Sequence, residues 1–267
     1  MKSAFLAIAL HGLLANAPAQ AASPFDGDWI ADLDRQSGLA TDSYLVRDGQ
    51  YACDSCAPQR SHPADGKMHP VAGDPDVATE SVTVTGPRSI VTHIIGPPLD
   101  RLTTMTVAAD DQTATYVAID HRPGVSIPLR TEYLARRLAP APPGAHPVSG
   151  KWQGVEYIEV PEIVRTTQLR LEGDQFSRSN LLGTSYTARL GGDYVPLRST
   201  HGGNVTIAVR RTGQRQIEER AQRDGQLLVV RTFTVARDGR SMETATTDPI
   251  QGTTFRSTSH RAGKRHK

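Results

Sequence analysis

Two short segments of this chain say nearly the same thing. Phe25-Asp26-Gly27-Asp28-Trp29 opens one stretch of strand-like runs, and Val148-Ser149-Gly150-Lys151-Trp152 opens another, the two tryptophans lying 123 positions apart. A spacing of that size is one small domain, and internal repetition constrains architecture before any local assignment does. The two openings predict two copies of one small β-fold.

The runs between them support this. Few stretches after residue 24 have helical periodicity, whereas many are short and rich in Thr, Val and Ile, residues that suit a pleated, half-buried surface. Thr104-Met105-Thr106-Val107 and Thr232-Phe233-Thr234-Val235 alternate polar and apolar residues, the period of a strand with one buried face. Tight-turn dipeptides punctuate the runs. Asp224-Gly225 and Asp238-Gly239 sit between strong strands and predict antiparallel hairpins. Each half has room for about eight strands, enough to close a small barrel, with a twisted sandwich as the alternative. Ala139 to Pro147 is Pro-rich. Proline cannot donate to a sheet ladder, so this segment reads as a semi-rigid linker. A long loop inside one domain is the competing reading.

Further matches keep the same order along both halves. Arg47-Asp48-Gly49-Gln50-Tyr51 aligns with Leu171-Glu172-Gly173-Asp174-Gln175-Phe176, with one residue inserted. Thr106 to Thr113 aligns with Thr234 to Ser241. Residues 1–21 read as a secretory signal peptide: Lys2 is the positive end, Ala4 to Leu14 the apolar stretch, and Ala19-Gln20-Ala21 the small-residue cleavage site. The apolar stretch is well short of the ~20 residues needed to span a bilayer, so no membrane span is expected. The mature chain is expected to begin near Ala22 and to act in the periplasm or outside a bacterial cell. The organisation is then a signal peptide (1–21), a first β-domain (22–138), a Pro-rich linker (139–147), a second β-domain (148–260) and a basic tail (261–267).

The formal net charge of +2 gives no electrostatic footprint for nucleic acid. The basic cluster of the tail, Arg261, Lys264, Arg265, His266 and Lys267, reads as a solvated end, or as a contact for an anionic surface or an envelope protein.

Phe25-x-Gly27-x-Trp29 with Asp34 and Ser37, followed by the run Asp65-Gly66-Lys67-Met68-His69-Pro70-Val71-Ala72-Gly73-Asp74-Pro75-Asp76, resembles a family of uncharacterised exported bacterial proteins. These carry an F-x-G-T-W start and a DGKDYPVTGNPDAD middle. The family is regarded as lipocalin-like, and the resemblance covers most of residues 25–137. It implies an all-β fold of two tandem antiparallel lipocalin-like barrels joined by the Pro-rich linker. It also implies that Trp29 and Trp152 plug the barrels against a late arginine, for which Arg136 or Arg137 and Arg256 or Arg261 are the candidates. The second half departs from the pattern, with Ser199-Thr200-His201-Gly202-Gly203 where the middle motif ends.

Chemistry-bearing residues are few. Cys53 and Cys56 are the only cysteines, and in an oxidising compartment they are expected to form a local disulfide. A redox pair lacks the helix N-terminus that activates such thiols. A metal site made with His62 and His69 has a spacing unlike the usual zinc sets. Asp74, Asp76 and Glu80 lack the calcium-loop spacing and read as a polar turn. No catalytic residue, cofactor or metal is assigned. The expected function is non-catalytic binding of a small apolar or amphipathic ligand in a barrel. A structural or envelope-interaction module is the alternative, and an enzyme of unknown type the second. Aromatic residues make up only 5% of the chain, which argues against broad stacking walls.

Overall fold

The computed structural model describes residues 23–97, 99–199 and 204–263. The expected signal peptide, His201 and the last four residues of the basic tail lie outside them. The chain begins with β1 (Gly27–Ser37), β2 (Thr41–Arg47), β3 (Gln50–Cys53), β4 (Arg60–Pro63), β5 (His69–Pro70), β6 (Thr79–Gly86) and β7 (Ser89–Gly96). β8 (Leu99–Val107), β9 (Thr113–His121), β10 (Leu129–Ala139) and β11 (Gly150–Glu159) follow, then a short helix, α1 (Glu162–Arg165). The remainder is β12 (Thr166–Glu172), β13 (Gln175–Asn180), β14 (Ser185–Arg189), β15 (Val195–Pro196), β16 (Val205–Gly213), β17 (Gln216–Arg223), β18 (Gln226–Val235), β19 (Ser241–Asp248) and β20 (Thr253–Arg261).

The fold is all-β, as the alternating runs predict. The strands form two nearly closed antiparallel sheets of ten strands each, an arrangement consistent with a calycin-like double barrel. Hairpins sit where the turn dipeptides predict them. Asp48-Gly49 joins β2 to β3 and Asp224-Gly225 joins β17 to β18, and in both pairs each residue has positive φ. Two successive positive φ values give a turn whose twist matches that of the flanking strands.

The sheets do not follow the halves of the sequence. The first runs β4-β3-β2-β11-β10-β9-β8-β7-β6-β5 and the second β14-β13-β12-β1-β20-β19-β18-β17-β16-β15. β1 pairs with β12 and β20, and β11 pairs with β10 and β2. The two Gly-x-Trp strands have changed places. The first barrel is therefore continuous in sequence, residues 41–159. The second consists of β1 together with residues 166–261, so that the first barrel is inserted between its first and second strands. The expected division at residues 138 and 148 does not describe the sheets.

The Pro-rich segment is likewise not a linker. It closes the β10–β11 hairpin within the first barrel, and His146 fastens it there: its N–H donates to Val46 O (2.8 Å), and its Nε2 lies 2.9 Å from Gly86 O. A hairpin loop needs no ladder donors, so prolines fit it as well as they fit a linker. The chain crosses between barrels at Gly38–Ala40 and again at residues 160–165. Gly38 has φ 72°, and a Cβ there would lie 2.0 Å from Thr254 O; this crossing therefore requires glycine.

Each exchanged strand brings its own lock. Trp29 and Trp152 are fully buried. Trp29 Nε1–H donates to Phe25 O at 2.8 Å, and Trp152 Nε1–H donates to Val148 O at 2.9 Å. Arg261 lies over the Trp29 ring with its guanidinium carbon 4.6 Å from the centroid, and Arg137 lies over Trp152 at 4.0 Å. Arg261 Nη2 donates to Pro24 O and Arg137 Nη2 to Pro147 O, both at 2.7 Å. The carbonyl two residues further on is also bonded in each copy, Asp26 O by Arg261 Nη1 and Ser149 O by Arg137 Nη1. Gly27 and Gly150 have positive φ and are crowded by these arginines, which accounts for the glycine of the motif. Trp29 belongs to the core of the second barrel, with Phe25, Leu169, Phe176 and Phe233. Trp152 belongs to the core of the first, with Val46, Tyr51, Ile90 and Met105.

Replacing a buried Trp by Ala costs about 3–5 kcal/mol. Trp29→Ala is expected to lower hydrogen-exchange protection across residues 166–261 and to spare 41–159, while Trp152→Ala does the reverse. The opposite assignment would mean that each strand sits in its own half.

Candidate functional site

Strand alternation sets which side chains enter each barrel. In the first barrel Val46, Tyr51, Met105, Ala114, Tyr116 and Ala135 are core residues next to the Trp152 plug, with Tyr44 and Tyr133 packed on them. Counting outward by twos along the same strands gives Asp42 on β2, Arg101 on β8 and Asp120 on β9. Asp42 lies opposite Trp152 in the β2–β11 ladder, and Tyr157 opposite Tyr133 in the β10–β11 ladder. One end of the barrel is closed by Trp152; the other is lined by tyrosines and charge.

The tyrosines stack in two groups, Tyr116-Tyr133-Tyr157 and Tyr44-Tyr51. Tyr116 and Tyr133 stack with centroids 4.6 Å apart and planes at 8°, and Tyr157 meets Tyr133 edge-on at 5.7 Å. Tyr44 stacks on Tyr51 at 6.1 Å. Five of the seven tyrosines of the chain are gathered here, so the low aromatic content misleads because it is unevenly spent. Tyr44, Asp42, Tyr133 and Tyr157 face inward and still keep part of their surface in water, as expected of residues lining an open mouth. The Tyr116 hydroxyl is buried and makes no hydrogen bond of normal geometry.

Two carboxylates behave differently in this setting. Asp120 is buried, which opposes its charge, but Arg101 binds it through Nε (2.5 Å) and Nη2 (2.9 Å) and holds its carboxyl below the usual range. Among the described residues no cation acts on Asp42. Burial pushes its carboxyl up, and the Tyr44 hydroxyl offsets only part of that. The tyrosines titrate far above neutrality because of burial, reinforced for Tyr44, Tyr116 and Tyr133 by the nearby Asp42. They remain hydrogen-bond donors at physiological pH.

The second barrel has a different polar layer. Glu219 is fully buried on β17, between the core residues Ile217 and Ala221. Its carboxylate accepts a hydrogen bond from Tyr186 (2.6 Å), lies 3.5 Å from Arg178 and pairs with Arg231. Burial opposes the charge on Glu219, but the Arg231 and Arg178 guanidiniums keep its carboxyl below the ordinary range. A recess of about 850 Å³ lies outside the second barrel around Asp28, Gln168, Arg170 and Leu181, away from both inward-facing polar layers.

Cys53 and Cys56 form a disulfide with S–S 2.05 Å, so both sulfurs of the considered metal set are already bonded. His62 and His69 do come together, with rings stacked at 5.0 Å. His62 Nε2 lies 3.3 Å from buried Glu80, and His69 Nε2 lies 2.8 Å from Asp65. Asp74 serves a turn: it accepts from the N–H groups of Asp76 and Val77, and pairs with Arg60 at 2.5 Å. No sequence motif marks either polar layer. A readable signal did exist, because Glu219 and Arg231 stand at apolar-phase positions of Ile217-x-Glu219-x-Ala221 and Arg231-x-Phe233-x-Val235.

Comparison with protein-family models, with curated proteins and with solved structures finds no match for this chain.

Because the Asp42 pKa is raised on folding, its contribution to stability is complete below the unfolded value, near 3.8, and is lost as pH rises through the folded value. Asp42→Asn is therefore expected to raise the melting temperature at pH 7 and to leave it nearly unchanged at pH 3, as read by circular dichroism. An equal shift at both pH values would disprove an ionised, desolvated Asp42. Removing the disulfide by the double change Cys53→Ser and Cys56→Ser is expected to cost about 2 kcal/mol, since the loop it closes is very short. Urea unfolding measures this, and a loss above ~4 kcal/mol would assign the bridge a larger role.

Proposed function

We propose that this chain binds a small amphipathic ligand in the tyrosine-lined mouth of its first barrel, and that the head of that ligand is cationic. The supporting observation is Asp42, a desolvated carboxylate on which no cation among the described residues acts, ringed by Tyr44, Tyr51, Tyr116, Tyr133 and Tyr157. A cation held against tyrosine faces gains from the ring quadrupoles, and it would restore to Asp42 the stabilisation that burial removes. The apolar body of such a ligand would rest on the Tyr116–Tyr133 stack. The same reading takes the two barrels as tandem copies of a lipocalin-like unit with exchanged first strands. It takes the chain as exported, which agrees with the Cys53–Cys56 disulfide. Among the described residues no helix is long and apolar enough to cross a membrane.

Calorimetric titration with benzyltrimethylammonium, benzyl alcohol and benzoate tests the proposal. The cation is expected to bind tightest. Asp42→Asn and Tyr133→Ala should each weaken it by about tenfold or more, the equivalent of roughly 1.4 kcal/mol. Equal binding of all three probes, or an Asp42→Asn protein that binds the cation as well as the parent, would refute the assignment.

A further inference from the structure

The plugged ends of the two barrels are built alike and charged differently. In the first, Arg88 reaches from the β6–β7 turn to the β8–β9 turn. Its Nη2 donates to Ala108 O and pairs with the carboxylate of Asp111, while Arg137 Nε donates to Asp111 O at 2.5 Å. The second barrel repeats this framework. Val107 N–H donates to Arg88 O and Val235 N–H to Arg215 O, both at 2.9 Å, so Arg215 stands where Arg88 does. Arg215 Nη1 donates to Ala236 O, the counterpart of Ala108, and Arg261 Nε donates to Gly239 O, each at 3.0 Å. Gly239 therefore holds the position of Asp111, and the second barrel supplies no carboxylate there.

The backbone is the same in both turns; the side chains differ. Asp111 has φ 58° and Gly239 φ 69°, and a Cβ at Gly239 would meet nothing within 4 Å. The space of the Asp111 side chain is thus open in the second barrel. Arg237 also replaces Ala109 in the aligned turn. Where the first barrel sets Arg88 and Arg137 against Asp110 and Asp111, the second sets Arg215, Arg237 and Arg261 against Asp238 alone. Asp238 serves its own turn, accepting from the Arg240 N–H at 2.9 Å. Among the described residues the three arginines make no ion pair. They border a recess of about 480 Å³ with a mostly polar lining that includes Ser23, Gln214 and Asp238. Arg215 and Arg237 come from turns and Arg261 from the last position of β20, so all three reach the same end of the barrel.

We propose that this recess is a second ligand site, which takes a small di- or tricarboxylic acid. One ligand carboxylate occupies the place that Asp111 fills in the first barrel and is bound by Arg215 Nη2, the atom equivalent to the one Arg88 uses. Arg237 meets a second carboxylate. Arg261, tied to three carbonyls and the Trp29 ring, is a positioning residue that holds the Gly239 turn and adds positive charge. Hydrogen bonds between guanidinium and carboxylate are charge-assisted on both sides, the strong kind, and the first barrel shows that this turn geometry accepts one.

Calorimetric titration of the full chain with citrate, acetate and sulfate at constant ionic strength provides the test. Citrate is expected to bind, with acetate and sulfate each at least about tenfold weaker. Gly239→Asp installs the carboxylate of the first barrel, in a backbone conformation that Asp111 already adopts, and is expected to weaken citrate by about tenfold or more. Arg215→Gln and Arg237→Gln are expected to do the same. Benzyltrimethylammonium binding should be unchanged in all three proteins; that probe reads the Asp42 site, so failure of one site is distinguishable from failure of the other. Should Arg215→Gln fail to fold, the exposed Arg237→Gln carries the test. No heat with citrate up to about 10 mM, acetate or sulfate binding as well as citrate, or a folded Gly239→Asp or Arg237→Gln protein with unchanged citrate affinity would overturn the proposal.

Discussion

The arginine that caps each buried tryptophan is the contact on which the rest of the molecule depends. Arg137 and Arg261 do three things at once: they cover an indole ring, tie the carbonyls of an incoming segment, and close the plugged end of a barrel. Each arginine lies at the end of the strand beside the tryptophan strand it captures. Arg261 lies within the ladder that joins β1 to β20, and Arg137 within the ladder that joins β10 to β11. The two locks are chemically interchangeable, and this is why strands from opposite halves of the sequence can fill each other's places without loss of packing.

Exchange also explains how the barrels hold together. Each crossing, at Gly38–Ala40 and at residues 160–165, is tied to a Gly-x-Trp strand, the first to β11 and the second to β1. Gly154 N–H donates to Ala40 O at 3.0 Å, and Arg165 Nη1 donates to Ala31 O at 2.8 Å. A direct ion pair adds to this, with Arg223 Nη2 lying 3.3 Å from Asp76. The exposed pair contributes little; covalent nesting does most of the work. The interiors differ more than the walls. The first barrel gathers phenols around a carboxylate, and the second gathers guanidiniums around one. Both are polar layers above an apolar plug, so the two barrels share the plug and the wall and differ at their open ends.

The fold class was legible because alternation and turn chemistry are local. Thr104 to Val107 and Thr232 to Val235 declare strands by themselves, and Asp224-Gly225 declares its hairpin. The repeat of Gly-x-Trp gave the number of barrels. Strand exchange was not legible, because β1 and β11 present the same motif and nothing in either names its partner. Ala139 to Pro147 misled for a related reason: proline content excludes a ladder position but does not separate a hairpin loop from a linker. The polar layers were partly legible. Glu219 breaks an apolar phase and is visible in retrospect. Asp42 does not, since Asp42-Ser43-Tyr44-Leu45-Val46 reads equally well in either phase, and only the ladder opposite Trp152 decides it.

Nesting has a consequence for the order in which the chain can be finished. As the polypeptide emerges from its N-terminus, β1 is made first, yet the strand that locks it, β20, is made last. Trp29 must stay without its arginine until Arg261, 232 residues further on, has been added, and for part of that time the slot later filled by Trp152 stands open to it. Until β11 arrives, β1 is the sole Gly-x-Trp strand present, and it matches that slot. The native arrangement therefore requires β11 to win a competition with an earlier rival of the same shape. The loser's arrangement would be a topological isomer with the same composition and nearly the same contacts, reached by timing alone.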